Sequence, residues 1–422
     1  MTRVPQTHLS GDAVAEIAAF RAQFAVPRHA NGAEQNYFCG NSLGLMPWAA
    51  RREVELELTR WAELGVEAHF DGETAWMPYH RLLADDLAWL VGAKPSEVVA
   101  MNSLTVNLQL MLTSFYRPTG ARRQIVIERR AFPSDRHAAL TQVLLHGFDP
   151  EITLVEIDAT DARGVIDEAA VEAYLRQHGE VVALVLWPGV QYATGQRFDL
   201  ARLTRAAHAA GAVLIADLAH AVGNVQVDLH ACGLDAAVWC SYKYLNSGPG
   251  ALAGAFVHER HHHFDGPRLG GWWGHDQATR FRMAPEFNPM PGAEGWQLSN
   301  PPILAAAPLR ASLKIFRRAG WPALETRADL LHARLRTRIE AELSAELELL
   351  TPAEAGRHGC QLSIRVRAGR SKGRAVFEYL QRQAVVCDWR EPDVIRAAPV
   401  PLYNHEADVD ALVAGLAEGL RY

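Results

Sequence analysis

Residues 181–246 read VVALVLWPGV QYATGQRFDL ARLTRAAHAA GAVLIADLAH AVGNVQVDLH ACGLDAAVWC SYKYLN, and their alternation decides the fold. Residues 181–187 form a bare apolar run, the pattern of a strand covered on both faces. After a glycine-containing loop, Asp199 can cap a helix that runs to Ala210 and closes at Gly211. Residues 212–216 are a second buried strand, ending abruptly at Asp217. Residues 236–240 are a third, running into Ser241, Tyr242 and Lys243. Upstream, residues 124–128 and 153–157 also read as strands, with helical segments nearby. Strand–helix–strand alternation of this kind predicts an α/β fold: a mostly parallel sheet with helices on both faces.

Outward from this centre the pattern changes twice. Residues 12–25 have helical periodicity, ended by the stretch from Pro27 to Gly32. Residues 37–45 are extended and rich in turn formers, and Pro47 opens an amphipathic helix through Leu64. Past residue 304 come two long helices, 304–319 and 321–343. Short strands at 347–350, 361–366 and 385–388 follow, with a helix at 373–381 and a last one from Asp408. The expected division is an N-terminal segment, 1–45, packing with the smaller unit; a large domain, 46–303; and a small α+β domain, 304–422.

Composition sets the outer bounds. A chain of 422 residues, 49% hydrophobic and 21% charged, can bury a large core, which excludes wholesale disorder. A net charge of −6 gives no global electrostatic reason to bind nucleic acid or anionic lipid. The first residues lack the basic and apolar regions of a secretory leader, and no apolar run approaches the ~20 residues a membrane helix needs. Five scattered cysteines with no CxxC pair indicate neither a disulfide framework nor a zinc site. The expectation is a cytoplasmic globular protein with reduced thiols.

Chemistry concentrates at strand ends. In an open parallel sheet, ligands sit beyond the carboxyl ends of the strands. Asp217 stands at one such end, with His220 three residues on, and Lys243 stands at another. A lysine and a buried carboxylate so placed are what pyridoxal phosphate requires: the amine anchors its aldehyde, and the carboxylate keeps its ring nitrogen protonated. Alone, Asp217 reads as a turn cap and Lys243 as a solvated side chain. Together, with Tyr242, Tyr244 and the glycine-rich stretch 245–250, they read as a site. Residues 102–105 lead into the apolar helix 106–115, a seat for a phosphate. Phe132, followed by Pro133, Ser134 and Asp135, offers an aromatic face and polar contacts. His258 and His261–His263 read as a solvated loop, since consecutive histidines on a strand point to opposite faces, so no metal is expected. The absence of GxGxxG argues against a nicotinamide enzyme. The Gly- and Trp-rich stretches 270–275 and 295–302 read as binding loops.

The chain resembles the kynureninase family, pyridoxal-phosphate hydrolases of the aspartate-aminotransferase fold, fold type I. The stretches that carry the resemblance are FCGNSLGLMP, NSLTVNLQLML, AFPSD, WPGVQYATGQRFDL, DLAHAVGNVQVDLH, WCSYKYLNSGPGALAGAFVHERH, GWWGH, LSNPPI and IRAAPVPLYN, between residues 38 and 404. The resemblance implies a seven-stranded-type sheet and a shared-site homodimer. It implies Lys243 as covalent anchor and base, Asp217 opposite the ring nitrogen, and Tyr242 as a proton relay near the phosphate. Leu104 and Thr105 would seat the phosphate, Phe132 would stack on the ring with Pro133, Ser134 and Asp135 nearby, and His220 would line it. Trp272 and Asn300 would come from the dimer interface. Arg396 would clamp the substrate α-carboxylate, while Ser42, His69 and Asn300 would lie near the aromatic amine. Pro188 stands where some relatives have a hydroxyl side chain, leaving its backbone for that contact. The implied reaction is hydrolysis of L-kynurenine or 3-hydroxy-L-kynurenine to the aromatic acid and L-alanine, in tryptophan catabolism or NAD biosynthesis. A class V aminotransferase or cysteine desulfurase of the same fold, and an inactive binding scaffold, are the alternatives.

Overall fold

The structure is a computed structural model and describes residues 17–422. Its large sheet contains β1 (Val98–Ala100), β2 (Gln124–Glu128), β3 (Leu154–Ile157), β4 (Val182–Pro188), β5 (Val213–Asp217), β6 (Ala236–Trp239) and β7 (Gly254–Val257). The spatial order is β1-β7-β6-β5-β4-β2-β3. Strands β2 to β6 run parallel, and β7 is antiparallel to both its neighbours. The strands read from residues 181–240 are present within a residue or two of their expected bounds. β1, of three residues, is too short to announce itself by periodicity, and β7, no shorter than β3 or β6, follows a glycine-rich stretch and does not read as a strand. Gly254 opens β7 directly opposite Trp239, where a Cβ would lie 2.2 Å from the buried indole.

Both faces of the sheet are covered, which is why its strands are largely apolar. The flanking helices are α1 (Trp48–Leu64), α2 (Ala84–Val91), α3 (Leu104–Phe115), α4 (Pro133–Leu145), α5 (Glu168–His178) and α6 (Leu200–Ala209). Val126, Val185 and Leu214 point into one core with Val171 and Leu175 of α5 and Leu203 of α6. Their neighbours Ile125, Leu184 and Ile215 point into the other, against Leu108 and Met111 of α3 and Val143 of α4. Asp199 caps α6 as expected, accepting the Arg202 N–H at 2.9 Å. α3 starts two residues earlier than its apolar pattern because Ser103, in extended conformation, is its N-cap.

The C-terminal part contains α7 (Ile303–Ala319), α8 (Trp321–Glu342), β8 (Leu347–Leu349), β9 (Leu362–Val366), α9 (Arg370–Arg382), β10 (Asp388–Arg390), β11 (Val394–Ala397) and α10 (Glu406–Arg421). Its sheet is antiparallel, in the order β8-β9-β11-β10. The change of texture at residue 304 is not where the packing changes. α7 lies along α1, and its Leu309, Leu313 and Phe316 belong to the larger core. The smaller core begins within α8, at Leu331.

The N-terminal segment differs most from its periodicity. Residues 12–16 of the expected helix lie outside the described residues. Beyond them, Ala19–Gln23 is a 3-10 turn, and Phe24–Ala25 pairs antiparallel with Met46–Pro47. Burial of Phe20 and Phe24 in the larger core overrides the local helical preference. The expected strand 385–388 divides: Val385–Val386 pairs parallel with Asn36–Tyr37, while Asp388 begins β10. A further bridge joins Cys39 to Ala398. The segment is thereby tied to the small unit by main-chain bonds.

Candidate active site

A cavity of about 150 Å³ opens at the carboxyl ends of β2, β4, β5 and β6. Leu104 and Thr105 bring the N-terminus of α3 to it, and Ser103 makes no side-chain cap there, so the first-turn N–H groups face the cavity uncapped. Phe132, Ser134 and Asp135 line a second wall, with Pro133 behind them as the first residue of α4. Asp217, His220, Tyr242 and Lys243 complete the expected group. Glu128, Pro188, Val190, Tyr192 and Ala219 also line it.

Lys243 sits in a tightly folded turn. Asn246, at φ 52, adopts the left-handed conformation that asparagine tolerates, and its N–H returns to the Lys243 carbonyl at 3.1 Å. Ser247 N–H bonds to the Ser241 carbonyl at 3.1 Å. The N-terminal segment locks this turn from outside: Gly44 N–H donates to the Tyr242 carbonyl at 2.8 Å. A Cβ on Gly44 would lie 2.2 Å from the Lys243 carbonyl oxygen, so this contact requires glycine. Lys243 Nζ lies 3.1 Å from His220 Nε2, 5.9 Å from the centroid of the Phe132 ring and 5.8 Å from that of Tyr242. Phe132 is braced edge-to-face by Tyr192, with centroids 5.2 Å apart.

Three buried acids share the cavity, and their environments divide the charge. Burial raises Asp217, against the Asp135 hydrogen bond, the Ala219 N–H at 2.6 Å and the nearby Lys243. Asp135 is raised further, by burial and by the charge of Asp217, to which it is hydrogen bonded. The proton of this pair therefore rests on Asp135 and the negative charge on Asp217. Glu128 is also pushed well up, by burial first, and its Oε2 has no hydrogen-bond partner. Burial, with Lys243 second, lowers His220 well below the usual histidine range, so its ring is neutral. Glu128 was missed as a site residue although it gives the same signal as Asp217, a carboxylate ending a buried strand.

Arg396 lies behind Tyr192, outside the cavity lining, and is fully buried. It donates to the Tyr192 carbonyl at 2.7 Å and pairs with Asp388 at 2.8 Å. Ser42 is beside it, hydrogen bonded to Asp388. The remaining expected residues stand apart in the single chain. Trp272 is 43% exposed in a patch with Leu269, Phe281, Met283 and Phe287, and Asn300 is exposed. His69 is half-buried against Trp76, with ring centroids 5.2 Å apart.

The histidine tract is not a solvated loop. His258 caps the 3-10 turn Glu259–His261, and His261 Nε2 lies 2.9 Å from the buried Asp235. Burial of these acids demanded partners that single-residue patterning could not show. Among the described residues, Glu97, His230 and His258 bring ligand atoms within 4.8 Å of one another. Glu97 is already occupied by the Lys94 and Glu259 N–H groups and by His230 at 2.9 Å.

The cavity therefore offers an amine, a buried carboxylate, an aromatic face and a helix N-terminus, the donor set that suits a planar phosphorylated pyridine aldehyde. In line with this, the family model described as Kynureninase C-terminal domain matches residues 324–416, and that of the DegT/DnrJ/EryC1/StrS aminotransferase family matches residues 70–247. The kynureninase of Xanthomonas euvesicatoria pv. vesicatoria is 56% identical over 402 residues, 95% of each chain. That of Stenotrophomonas maltophilia is 56% identical over 410 residues, 97% of this chain and 96% of its own. Among solved structures, the cysteine desulfurase CsdA from Escherichia coli superposes with a TM-score of 0.75 at 17% identity, covering 96% of this chain and 98% of its own. The cysteine desulfurase from Thermococcus onnurineus NA1 gives 0.74 at 18%, covering 91% and 94%. These distant likenesses establish a shared fold. With the relatives at 56% identity along nearly its whole length, the chain belongs to the kynureninase family.

Proposed function

We propose that this chain is a pyridoxal-phosphate-dependent hydrolase that cleaves the Cβ–Cγ bond of L-kynurenine, or of 3-hydroxy-L-kynurenine. The products are anthranilate, or 3-hydroxyanthranilate, and L-alanine. The observation that carries this reading is the placement of Lys243, Asp217, Phe132 and the N-terminus of α3 around one cavity, in a chain so close to kynureninases. When bound, pyridoxal phosphate supplies an electron sink for the substrate's α-carbon and, later, for the Cβ–Cγ bond.

The residues divide the remaining work. Lys243 Nζ anchors the cofactor and, once substrate has displaced it, takes and returns the proton at Cα. Asp217 holds the ring-nitrogen proton. Leu104, Thr105 and Tyr242 hold the phosphate, and Phe132 covers the ring, with Ser134 and Asp135 at its edge. The Tyr242 hydroxyl relays a proton toward the substrate carbonyl. Neutral His220 lines the ring without adding positive charge. Arg396 binds the α-carboxylate through its planar fork. Ser42, His69 and Asn300 orient the substrate, with the aromatic amine toward His69 and Asn300. In tryptophan catabolism such an enzyme releases the aromatic acid, and on the 3-hydroxy substrate it serves NAD biosynthesis. Incubation with L-kynurenine should release anthranilate fluorescence and L-alanine in equal amounts. Release of sulfide from cysteine, or of a keto acid, in their place would overturn the reading. A desulfurase is disfavoured by the cysteines: Cys39, Cys240, Cys360 and Cys387 are buried and Cys232 is half-buried.

The reading includes a cytoplasmic homodimer with shared sites. No helix among the described residues is long and apolar enough to cross a membrane, and the five cysteines are free. The exposed apolar patch around Trp272 suits an interface, and Trp272 and Asn300 would enter the cavity of the second copy. Mixing two inactive variants, Lys243→Ala and Asn300→Ala, tests this. Half the redistributed dimers are mixed, and each has one intact site, so roughly a quarter of the parent activity should return. No recovery after confirmed subunit exchange would rule out sharing.

A further inference from the structure

The surroundings of Arg396 contain a second arginine that the proposed reaction leaves unused. β10 and β11 pair so that Asp388 lies directly opposite Arg396, and Arg390, two residues along β10, falls on the same face. Asp388 takes one side of the Arg396 guanidinium: Nε donates to Oδ1 at 3.1 Å, and Nη2 lies 2.8 Å from Oδ2. Nη1 donates to the Tyr192 carbonyl at 2.7 Å. Nη2 also donates weakly to Ser42 Oγ at 3.5 Å, and among the described residues the second N–H of Nη1 has no hydrogen-bond partner. Tyr192, whose carbonyl takes the other Nη1 proton, lines the cofactor cavity.

Charge decides whether a carboxylate can come there. Arg396 and Asp388 alone make a neutral pair, and a buried carboxylate added to it would be uncompensated. Arg390 removes that obstacle. Its Nη2 donates to Asp388 Oδ2 at 3.1 Å and to Ser42 Oγ at 3.4 Å, and its Nε lies 3.1 Å from Asp388 Oδ1. Two guanidinium groups then face one carboxylate, leaving a surplus of one positive charge for one incoming anion. Burial opposes ionisation of Asp388, but both arginines and Ser42 outweigh it and keep the carboxyl below the usual range.

We propose that Arg390 is a specificity-determining positioning residue for the substrate α-carboxylate: by sharing Asp388 with Arg396 it leaves the clamp with a net charge of one, so that the donors of Arg396 not bound by Asp388 can take an incoming carboxylate. The inference rests on Arg396 being the carboxylate clamp. The probes are L-alanine and ethylamine, which differ by the carboxylate, titrated into cofactor-loaded protein and followed by cofactor absorbance.

Arg390→Gln should weaken L-alanine about 10- to 100-fold, leave ethylamine within about twofold, and raise KM for kynurenine far more than it lowers kcat. Arg390→Lys, which keeps the charge, should stay within about fivefold of the parent for L-alanine. The double variant Arg390→Gln/Asp388→Asn, which restores the surplus charge, should recover most of the lost affinity. A purely structural role predicts no such recovery. Equal losses for both probes, or a double variant no better than Arg390→Gln, would overturn the inference. Arg396→Gln separates the two ideas: if it still binds L-alanine normally, the clamp assignment itself fails. If it loses L-alanine while Arg390→Gln does not, the role of Arg390 alone is rejected.

Discussion

Lys243→Ala should lower kcat/KM for kynurenine by at least about 10⁴-fold, the scale expected when a covalent anchor that is also the base is removed. The side chain is irreplaceable by its neighbours. His220, 3.1 Å away, is held neutral by burial, and no other lysine lines the cavity. The variant should lose the yellow absorbance of the lysine-bound cofactor while remaining folded, because Lys243 is only half-buried and its turn is held by main-chain bonds to Asn246 and by the Gly44–Tyr242 bond. Exogenous methylamine should restore part of the activity. Turnover near the parent level without added amine would remove the basis for the proposed chemistry.

Asp217→Asn should be the second most damaging change, about 10³-fold in kcat/KM, with the cofactor still bound. Burial raises all three acids in the cavity, but Asp217 least, because the Asp135 hydrogen bond, the Ala219 N–H at 2.6 Å and Lys243 oppose it. An amide cannot hold the ring nitrogen protonated, so the electron sink weakens. Glu128→Gln is the internal comparison. Burial pushes that carboxyl well above its usual range, so a neutral amide should cost less than about tenfold. A Glu128→Gln loss matching that of Asp217→Asn would reverse the assignment of charge among the acids. Steady-state kinetics with absorbance spectra of each variant distinguishes these cases.

The parts of this site that could be read from the sequence are those where one local signal suffices. An apolar strand that stops at Asp217, and another that runs into Lys243, give position and chemistry together. The Asp388–Arg390–Arg396–Ser42 cluster could not be read that way. It depends on the register of two short strands and on a residue 346 positions away from Asp388. The same holds for β1 and β7, three and four residues long, whose place is set by pairing and not by periodicity. α7 misled for a related reason: its helical pattern is plain, but only packing on α1 shows which core it joins. Trp272 and Asn300 stand outside the cavity of their own chain; the composition of their stretches marks binding loops, but their roles come only from the family resemblance.

The tie between the N-terminal segment and the lysine turn bears on the order in which the protein matures. Gly44 closes over Tyr242 and Lys243, yet the strand that carries it toward them is anchored by Val385–Val386 and by Ala398. Those anchors are synthesised long after Gly44 itself. A nascent chain can therefore pair most of the large sheet before the partners at 385–386 and 398 exist, and the segment that covers the lysine turn gains these tethers only when the small unit folds. A chain cut before Val385 should therefore hold the vitamin less firmly, read as weaker yellow absorbance, even though every cavity-lining side chain is present.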